Sequence, residues 1–459
     1  MNKKFLIGLM TAFLMLTFIS FAPNEAFAQP KKAKKLVTDG DKLFQRKDYQ
    51  GAVNKYAEAI VLAPNYPDAY FWKGTAHYYL NQYDQAIQDL TTALSQGYKR
   101  PLEIYKLRGY MNLQQKNYDA ALGDVTEAAK LDPSNIIYPM GLGEIYLARR
   151  DWENALVSYR KASQLAPQNG DISYFMAFCY AQTGNTQGQG TAAADAIKKG
   201  TRYVGEAYYL YGDAQMKARN SLEAMQAFER AMNANPKIYE TYNTLSEIYR
   251  TQGRFQDAIN TMLKGLENFP TDGSLYINLT WYYSLADKNR EAVEAGLKAV
   301  EYAPDNATAY TNLCRAYNET KQYGSAIETC NKALEIAPND GETNYYLGRA
   351  NSFLNREAVA KRYYEKAVAG LLQFTRDNPD YSDGYYLLGN AYFSVGNREK
   401  AIEAYLRCLD LSPRFSKARY NLGYIYYLKG DKIAARQQVD ELQKYDIITA
   451  TKLKQAMEQ

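Results

Sequence analysis

Histidine is almost absent from this 459-residue chain, and neither sign of charge predominates. The one histidine, His77, excludes a metal site built from several histidines and disfavours a Ser-His-Asp triad. The formal net charge of +5 is too small to indicate nucleic acid binding. The many Asp and Glu residues fall on solvent positions of amphipathic helices, and none form a supported pair. We therefore expect no enzymatic activity, no metal and no cofactor.

A period of 34 residues dominates the chain instead. Alanine recurs at residues 52, 86, 121, 155, 224, 258, 292, 326, 360, 401 and 435. The gaps are 34 or 35 residues, apart from one of 69, where Gln189 replaces the expected alanine, and one of 41, where seven residues are inserted. A period of this length is typical of stacked helix-turn-helix repeats that bury their apolar faces against one another.

Small residues and proline mark fixed positions within each repeat. We number each repeat from its first residue, and the repeats begin at residues 33, 67, 102, 136, 170, 205, 239, 273, 307, 341, 382 and 416. Position 20 is alanine in eleven repeats, position 27 is alanine in nine, and position 8 is glycine in eight. Small side chains let helices approach closely. Proline at position 32, present in eight repeats, ends the second helix.

This pattern closely resembles the tetratricopeptide repeat (TPR) family from Ala33 to about Tyr445. The resemblance implies an all-α, right-handed superhelical solenoid of about twelve repeats, with a groove lined by the first helix of each. It implies 24 repeat helices and a terminal capping helix within 447–459. We divide the rest into a signal peptide (1–28), a basic leader (29–32), repeats 1–5 (33–204), repeats 6–10 (205–381) and repeats 11–12 (382–446).

Two places break the pattern. Repeat 5 reads Thr-Gly-Asn-Thr-Gln-Gly-Gln-Gly over 183–190, where its second helix should begin, so we expect that helix to start late or fray. We also predict a hinge between repeats 1–5 and 6–12. The second break is the insertion at 368–376 after repeat 10, which predicts a lengthened helix.

The N-terminus has the features of a secretory signal peptide. Two lysines at 3 and 4 precede an uncharged apolar run, Phe5–Ala22, and Ala26-Phe27-Ala28 predicts cleavage before Gln29. The alternative is an uncleaved membrane anchor, since 18 apolar residues reach the short limit of a spanning helix. The basic run over 31–35 is interpreted as a solvated leader, with membrane-surface contact as the alternative.

Positions 2, 5, 9 and 12 form one stripe along the first helix, and by the resemblance this stripe faces the groove. It is rich in aromatic residues, at 71, 78, 110, 174, 178, 209, 281, 345, 386, 393, 420, 424 and 427, and we interpret these rings as surplus to packing. They suit an extended peptide or a glycan chain. The alternative is that neighbouring repeats bury them. The candidate groove residues are Arg315, Arg349, Asn318, Asn243, Arg250, Trp281, Tyr345, Tyr386, Tyr174 and Phe178.

The arginines among these candidates suit the carboxylate of a bound peptide. The alternative is that they pair with Glu247 or Glu319. The carboxylate clamp of chaperone-binding members needs lysine at position 5 and asparagine at position 9, and no repeat here has both. That specificity is therefore not carried over.

The remaining reactive side chains favour structural roles. His77 occupies a core position where tyrosine is usual, which predicts a packed or hydrogen-bonded residue. Cys314 and Cys330 lie at positions 8 and 24 of one repeat, on facing helices. In an exported protein they form a candidate disulfide, and the alternative is two buried small residues. Cys179 and Cys408 are interpreted as packed single cysteines.

These observations predict a non-catalytic, exported TPR scaffold that holds a protein or peptide in its groove. The setting expected is the periplasm, with the cell surface or secretion as alternatives. No nucleic acid partner and no membrane insertion after signal removal are expected. The alternative functions are a glycan-binding module that stacks sugars on the groove aromatics, and an envelope assembly or chaperone factor.

Overall fold

The computed structural model describes residues 31–458, which are entirely helical apart from the connecting turns. The chain divides into two compact units, Met1–Asn235 and Pro236–Gln459, each described here by itself. The described part of the N-terminal unit contains α1 (Lys31–Gln45), α2 (Tyr49–Leu62), α3 (Pro67–Tyr79), α4 (Tyr83–Ser95), α5 (Pro101–Gln114), α6 (Tyr118–Leu131), α7 (Ile137–Ala148), α8 (Trp152–Leu165), α9 (Gly170–Gln182), α10 (Thr186–Lys198), α11 (Val204–Lys217) and α12 (Ser221–Ala234).

The C-terminal unit continues the same order. It contains α13 (Tyr239–Thr251), α14 (Phe255–Asn268), α15 (Gly273–Leu285), α16 (Asn289–Tyr302), α17 (Ala307–Glu319), α18 (Tyr323–Ile336), α19 (Gly341–Phe353), α20 (Glu357–Asp377), α21 (Ser382–Ser394), α22 (Arg398–Leu411), α23 (Ser416–Leu428), α24 (Lys432–Gln443) and α25 (Ile447–Glu458). The predicted all-helical solenoid of twelve repeats with a terminal helix is confirmed, with six repeats in each unit. No helix within residues 31–458 is both long and apolar enough to cross a bilayer.

The small residues act as the repeat pattern predicts. Every one of the eleven alanines at position 20 is fully buried. Most glycines at position 8 lie against the side chain at position 24 of the facing helix: a Cβ on Gly40 would come 2.7 Å from the ring of Tyr56, and one on Gly389 would come 2.6 Å from that of Tyr405. In these two hairpins the helices can pack closely around the tyrosine ring because the facing residue is a glycine, which has no side chain.

The turn between the two helices is the same in all twelve repeats. The residue at position 15 has a positive φ in each, from Lys47 (63°) in repeat 1 to Gly430 (83°) in repeat 12. A left-handed residue directly after a helix lets following N–H groups bond the last carbonyls, which ends the helix without unpaired groups. The left-handed residue at position 15 thus gives every hairpin of the described chain the same turn.

The expectation of a late or frayed second helix in repeat 5 is wrong. Helix α10 begins at Thr186, position 17, as second helices do in the other repeats. Gly184 is the left-handed turn residue of this repeat (φ 73°), and the Asn185 side chain caps the helix by accepting the Gly188 N–H at 2.8 Å. The glycines that suggested fraying are therefore part of an ordinary turn and cap.

A buried glutamine ties repeat 5 to repeat 6. Gln189 replaces alanine at position 20, and its Nε2 donates to the Leu210 carbonyl (2.8 Å) and to Asp213 Oδ2 (2.7 Å). These bonds cross the junction at 204/205 where a hinge is expected from the sequence, and the division into compact units falls after Asn235 instead. The hinge stays a prediction.

The insertion and the N-terminal segments have the following outcomes. The inserted residues 368–376 lie within α20, which at 21 residues is longer than its counterparts in the other repeats. Helix α1 begins at Lys31, so residues 31 and 32 belong to the helix and the expected basic leader is wrong for them. The predicted signal peptide, residues 1–28, lies outside the described residues.

His77 has the packed, hydrogen-bonded role predicted for it. The residue is buried, and its Nδ1 lies 2.8 Å from Asp89 Oδ2 on the facing helix. Lys73 Nζ donates to the other oxygen of Asp89 at 3.0 Å. The three side chains satisfy one another within repeat 2.

Candidate functional site

The arginines of repeats 9 and 10 are paired with glutamates. Arg315 Nη1 lies 3.0 Å from Glu342 Oε1, and Arg315 Nη2 donates to Asn312 at 2.7 Å. Arg349 forms a two-pronged pair with Glu319. Burial would raise the pKa of Glu319, but the hydrogen bond and charge of Arg349 hold it below its ordinary value. The arginines expected to hold a peptide carboxylate are therefore already neutralised by this chain.

Arg250 of α13 is the most heavily engaged of the candidate arginines. It makes a two-pronged pair with Glu247, with N–O distances of 2.6 and 2.8 Å, and its guanidinium lies 4.9 Å from the ring centre of Trp281. Burial alone would lower the pKa of Arg250, but the hydrogen bond and charge of Glu247 raise it above its ordinary value. Asn243 on the same helix accepts a 3.1 Å hydrogen bond from Asn278. Trp281 and Asn243 are both half-buried.

Two ion pairs join repeats that lie four apart in the C-terminal unit. Arg250 of repeat 7 lies 3.5 Å from Asp383 of repeat 11, and Lys417 of repeat 12 lies 3.7 Å from Asp287 of repeat 8. Burial raises the pKa of Asp383, and the charge of Arg250 opposes that rise. Charged side chains therefore link repeat 7 to repeat 11 and repeat 8 to repeat 12 within this unit.

Asn318 does not face the groove. It is 1% exposed, and its Nδ2 donates to the Cys314 carbonyl one turn earlier at 3.0 Å. The resemblance assigns position 12 to the groove-facing stripe, but in this repeat its side chain is buried in the core. Its place on the candidate surface is a wrong prediction.

The aromatic stripe is more buried than the sequence suggested. None of its thirteen rings is exposed; Phe71 and Tyr174 are buried and the others half-buried. Tyr174 stacks on Tyr203 at 4.6 Å, and the ring of Phe178 lies edge-on to Trp152 at 6.0 Å. The interpretation of these rings as surplus to packing is wrong, because the neighbouring repeats cover most of their surface.

A cavity lies along this stripe in the C-terminal unit. It has a volume of about 140 Å³ and lies between α19, α21, α22 and α23. Its lining residues are Tyr345, Asn390, Phe393, Ser394, Tyr405, Asn421, Tyr424 and Ile425. Tyr405 donates to Asn390 Oδ1 at 2.6 Å and Asn421 Nδ2 donates to the same oxygen at 2.8 Å, so the amides are held in fixed orientations.

The cavity carries no charged side chain, and aromatic rings make up half of its lining residues. Its volume is close to that of an apolar cavity that admits a benzene ring, about 150 Å³. The arrangement therefore suits one uncharged side chain of a partner, and no step of bond chemistry. Tyr386, also a candidate, lies beside the cavity, with its ring 6.2 Å from that of Tyr405.

The interior of the N-terminal unit contains a carboxylate that the sequence reasoning missed. Glu144 of α7 occupies position 9, the same position as Arg315 and Arg349, so its repeat position was a signal that could have found it. Its Oε2 is buried and has no hydrogen-bond partner. Burial raises the pKa of Glu144 to about 7, and the charge of Arg202 opposes that rise.

The cysteines occupy core positions. Cys314 and Cys330 are joined by a disulfide between α17 and α18, with their Cα atoms 5.4 Å apart. They stand at position 8, which is glycine in eight of the twelve repeats, and at position 24, which is an aromatic residue in five. Cys179 and Cys408 are buried and free, and burial raises the pKa of each thiol to about 12, which suppresses thiolate formation. Among the described residues no group of three His, Cys, Asp or Glu side chains is arranged to hold a metal ion.

Family models with the descriptions "TPR repeat" and "Tetratricopeptide repeat" match most of the repeats. The first matches residues 40–79 and 389–430, and the second matches 73–136, 140–173, 209–273 and 307–340. Together these ranges cover more than half of the chain.

The chain is similar to several known proteins. It is 32% identical over 133 residues to the small glutamine-rich tetratricopeptide repeat-containing protein 2 of Saccharomyces cerevisiae, a match that covers 29% of this chain and 36% of that protein. It is 29% identical over 131 residues to the formate-dependent nitrite reductase complex subunit NrfG of Escherichia coli O157:H7, covering 28% and 66%. The chain spans less than half the length of the first curated relatives it matches.

Solved structures are similar at low sequence identity. A tetratricopeptide repeat protein from Parabacteroides merdae aligns with a TM-score of 0.40 and 15% identity, over 56% of this chain and 99% of its own. Yeast Tom70 aligns with a TM-score of 0.40 and 16% identity, over 94% and 95%. The matched family models and the twelve helical hairpins together identify the chain as a member of the tetratricopeptide repeat family.

Proposed function

We propose that this chain is a non-catalytic scaffold that holds a partner protein or peptide along the first helices of its repeats. The observation that carries the proposal is the cavity of about 140 Å³ between α19 and α23, because it is an uncharged, ring-lined space on the stripe that the repeats turn inward. A buried anchor of this kind contributes much of the free energy of a protein interface. One relative, NrfG, is by name a subunit of a protein complex, which supports the same kind of role.

The test blocks the cavity without disturbing the buried network. Ser394 ends α21, is exposed and lines the cavity, so Ser394→Trp places an indole over the opening, whereas Ser394→Ala leaves it free. We expect the wild type and Ser394→Ala to capture the same partner from a cell-envelope extract. Capture by Ser394→Trp should fall by about tenfold, the effect of losing about 1.4 kcal/mol. Equal capture by all three proteins would show that the cavity is not the anchor.

We further propose that the scaffold is exported. The basic start, the apolar run Phe5–Ala22 and the Ala26-Phe27-Ala28 site support it, and a disulfide such as Cys314–Cys330 is stable in an oxidising compartment. Cell fractionation with N-terminal sequencing tests it: the mature chain should lie in the periplasm and begin at Gln29. A cytoplasmic chain that still begins at Met1 would contradict the proposal, and a membrane-bound chain with residues 1–28 intact would favour the uncleaved anchor.

A further inference from the structure

Glu144 is a largely buried carboxylate whose charge is not balanced by an ion pair in the described part of the chain. Within residues 31–458 it is the one carboxylate with a buried oxygen that has no hydrogen-bond partner, and no cation forms an ion pair with it. Leaving a buried polar oxygen unpaired costs free energy, and more so when the group is charged. Arg315 and Arg349, which occupy the same position in repeats 9 and 10, each form an ion pair with a glutamate. Glu144 thus lacks a counterpart among residues 31–458.

The side chain lies beside a cluster of aromatic rings. Gly143, the preceding residue, has no Cβ, and the Tyr159 ring packs so closely that a Cβ there would lie 2.6 Å from it. Tyr159 stacks on Phe175 at 5.1 Å, and Tyr174 stacks on Tyr203 at 4.6 Å. Burial raises the pKa of the Tyr159 and Tyr203 hydroxyls, and the charge of Glu144 adds to the rise in each. The Tyr159 hydroxyl is likewise buried without a hydrogen-bond partner.

The charges around this cluster are unbalanced. Three carboxylates, those of Glu144, Asp171 and Glu206, act on the Tyr203 hydroxyl, and one cation, Arg202, acts with them. Arg202 is committed to Asp171: its Nε lies 2.6 Å from Asp171 Oδ2, and its backbone N–H donates to the other oxygen at 2.9 Å. Glu206 accepts one neutral hydrogen bond, from Asn235 at 2.8 Å. Among these charges that act on Tyr203, the negative ones therefore outnumber the positive one when Glu144 is ionised.

We propose that Glu144 receives a lysine or arginine side chain of the partner. An ammonium or guanidinium group would supply the donor that Oε2 lacks. Its positive charge would also offset the excess of carboxylates around the cluster. The inference rests on the proposed function and adds to it the chemistry of the partner: a basic side chain in the N-terminal unit.

The pH dependence of binding follows from the ionisation of Glu144. With a pKa of about 7, the carboxyl is largely neutral at pH 6 and largely ionised at pH 8. The other groups that act around it are Arg202, Asp171, Glu206, Tyr159, Tyr174 and Tyr203, and none of them has its ordinary pKa between pH 6 and pH 8. A preference for basic side chains should therefore strengthen from pH 6 to pH 8, because only the ionised carboxylate attracts the cation.

The test compares peptides that differ in one charge. The probes are three immobilised pools of randomised eight-residue peptides, each with one fixed residue: lysine, arginine or norleucine, which has a similar alkyl chain and no charge. The proteins are the full mature chain, its Glu144→Gln variant and a Glu153→Gln control, in which an exposed carboxylate on α8 is neutralised. We expect the wild type to retain the lysine and arginine pools about tenfold more than the norleucine pool at pH 8. Glu144→Gln should lose that ratio at both pH values, and Glu153→Gln should keep it.

Several results would overturn the inference. The same ratio in Glu144→Gln as in the wild type would place the basic-residue preference elsewhere. Equal retention of all three pools by the wild type would show that no such preference exists, although peptide binding itself would stand. Retention of no pool would also count against the inference, and the proposed scaffold function would then be judged by the envelope capture alone. Matching circular dichroism spectra of the three proteins establish that the variants are folded.

Discussion

Neutralising Glu144 should stabilise the protein at alkaline pH and have little effect at acidic pH. In the folded chain its pKa is about 7, against an ordinary value of 4.5. The folded state therefore binds this proton more tightly than the unfolded state, and stability is lost as pH rises from 4.5 through 7. At 1.36 kcal/mol per pKa unit, the loss approaches about 3 kcal/mol at pH 8 and stays below about 1 kcal/mol at pH 5. Glu144→Gln removes this pH-dependent loss of stability, because the amide does not ionise.

The assay is urea denaturation at pH 5 and pH 8, followed by circular dichroism, on the mature wild type, Glu144→Gln and the exposed control Glu153→Gln. The free energy of unfolding of the N-terminal unit should rise by about 3 kcal/mol in Glu144→Gln at pH 8, and by less than about 1 kcal/mol at pH 5. Any change in packing caused by the amide is common to both pH values and cancels in the comparison. An equal effect at the two pH values, or a destabilised variant at pH 8, would refute the burial of an unpaired carboxylate at this site.

The remaining predictions concern packing and the disulfide. Gly389→Ala should lower the free energy of unfolding by about 1–3 kcal/mol, because its Cβ would lie 2.6 Å from the Tyr405 ring. Gly324 lies in a helix with open space around it, so Gly324→Ala should raise the free energy of unfolding by up to about 1 kcal/mol. Urea denaturation measures both variants, and a change of the same sign in both would contradict the packing argument. Reduction should lower the stability of the C-terminal unit by about 3 kcal/mol through the loop that Cys314–Cys330 closes, and a Cys314→Ala/Cys330→Ala variant should not respond to reductant. Thiol titration of the denatured, unreduced chain should give two free thiols, whereas four would show that the bond is absent.

Features governed by local sequence could be predicted with good accuracy. The 34-residue period predicted the hairpins and their number, because each repeat carries its own turn, its own helix stop and its own small contact residues; the terminal helix was implied by the resemblance to the family. The prediction of a frayed second helix in repeat 5 failed because the number of glycines does not show which of them lie in the turn and which lie in the helix. Gly184 is the turn residue, and Asn185 caps the helix that the glycines seemed to prevent.

The candidate site was predicted less well. The position of a residue in the repeat indicated that Arg315, Arg349 and Arg250 lie on one face, but not that glutamates neutralise each of them. It also placed Asn318 on the surface and left the aromatic rings uncovered, whereas the structure turns Asn318 inward and packs the rings. Each of these outcomes depends on side chains brought together from different turns, helices or repeats.

The amino-acid sequence by itself determined that this chain is a series of helical hairpins, because helix period, turn residue and close-contact residues all act within about 34 residues. The tertiary structure alone decided which charges are satisfied. Arg250 forms an ion pair with Asp383 from four repeats away, whereas Glu144 acts on tyrosines of repeats 4 and 5 and forms no ion pair with any cation among residues 31–458. The distance between side chains on separate repeats depends on how the hairpins stack, and that spacing cannot be read from any single repeat.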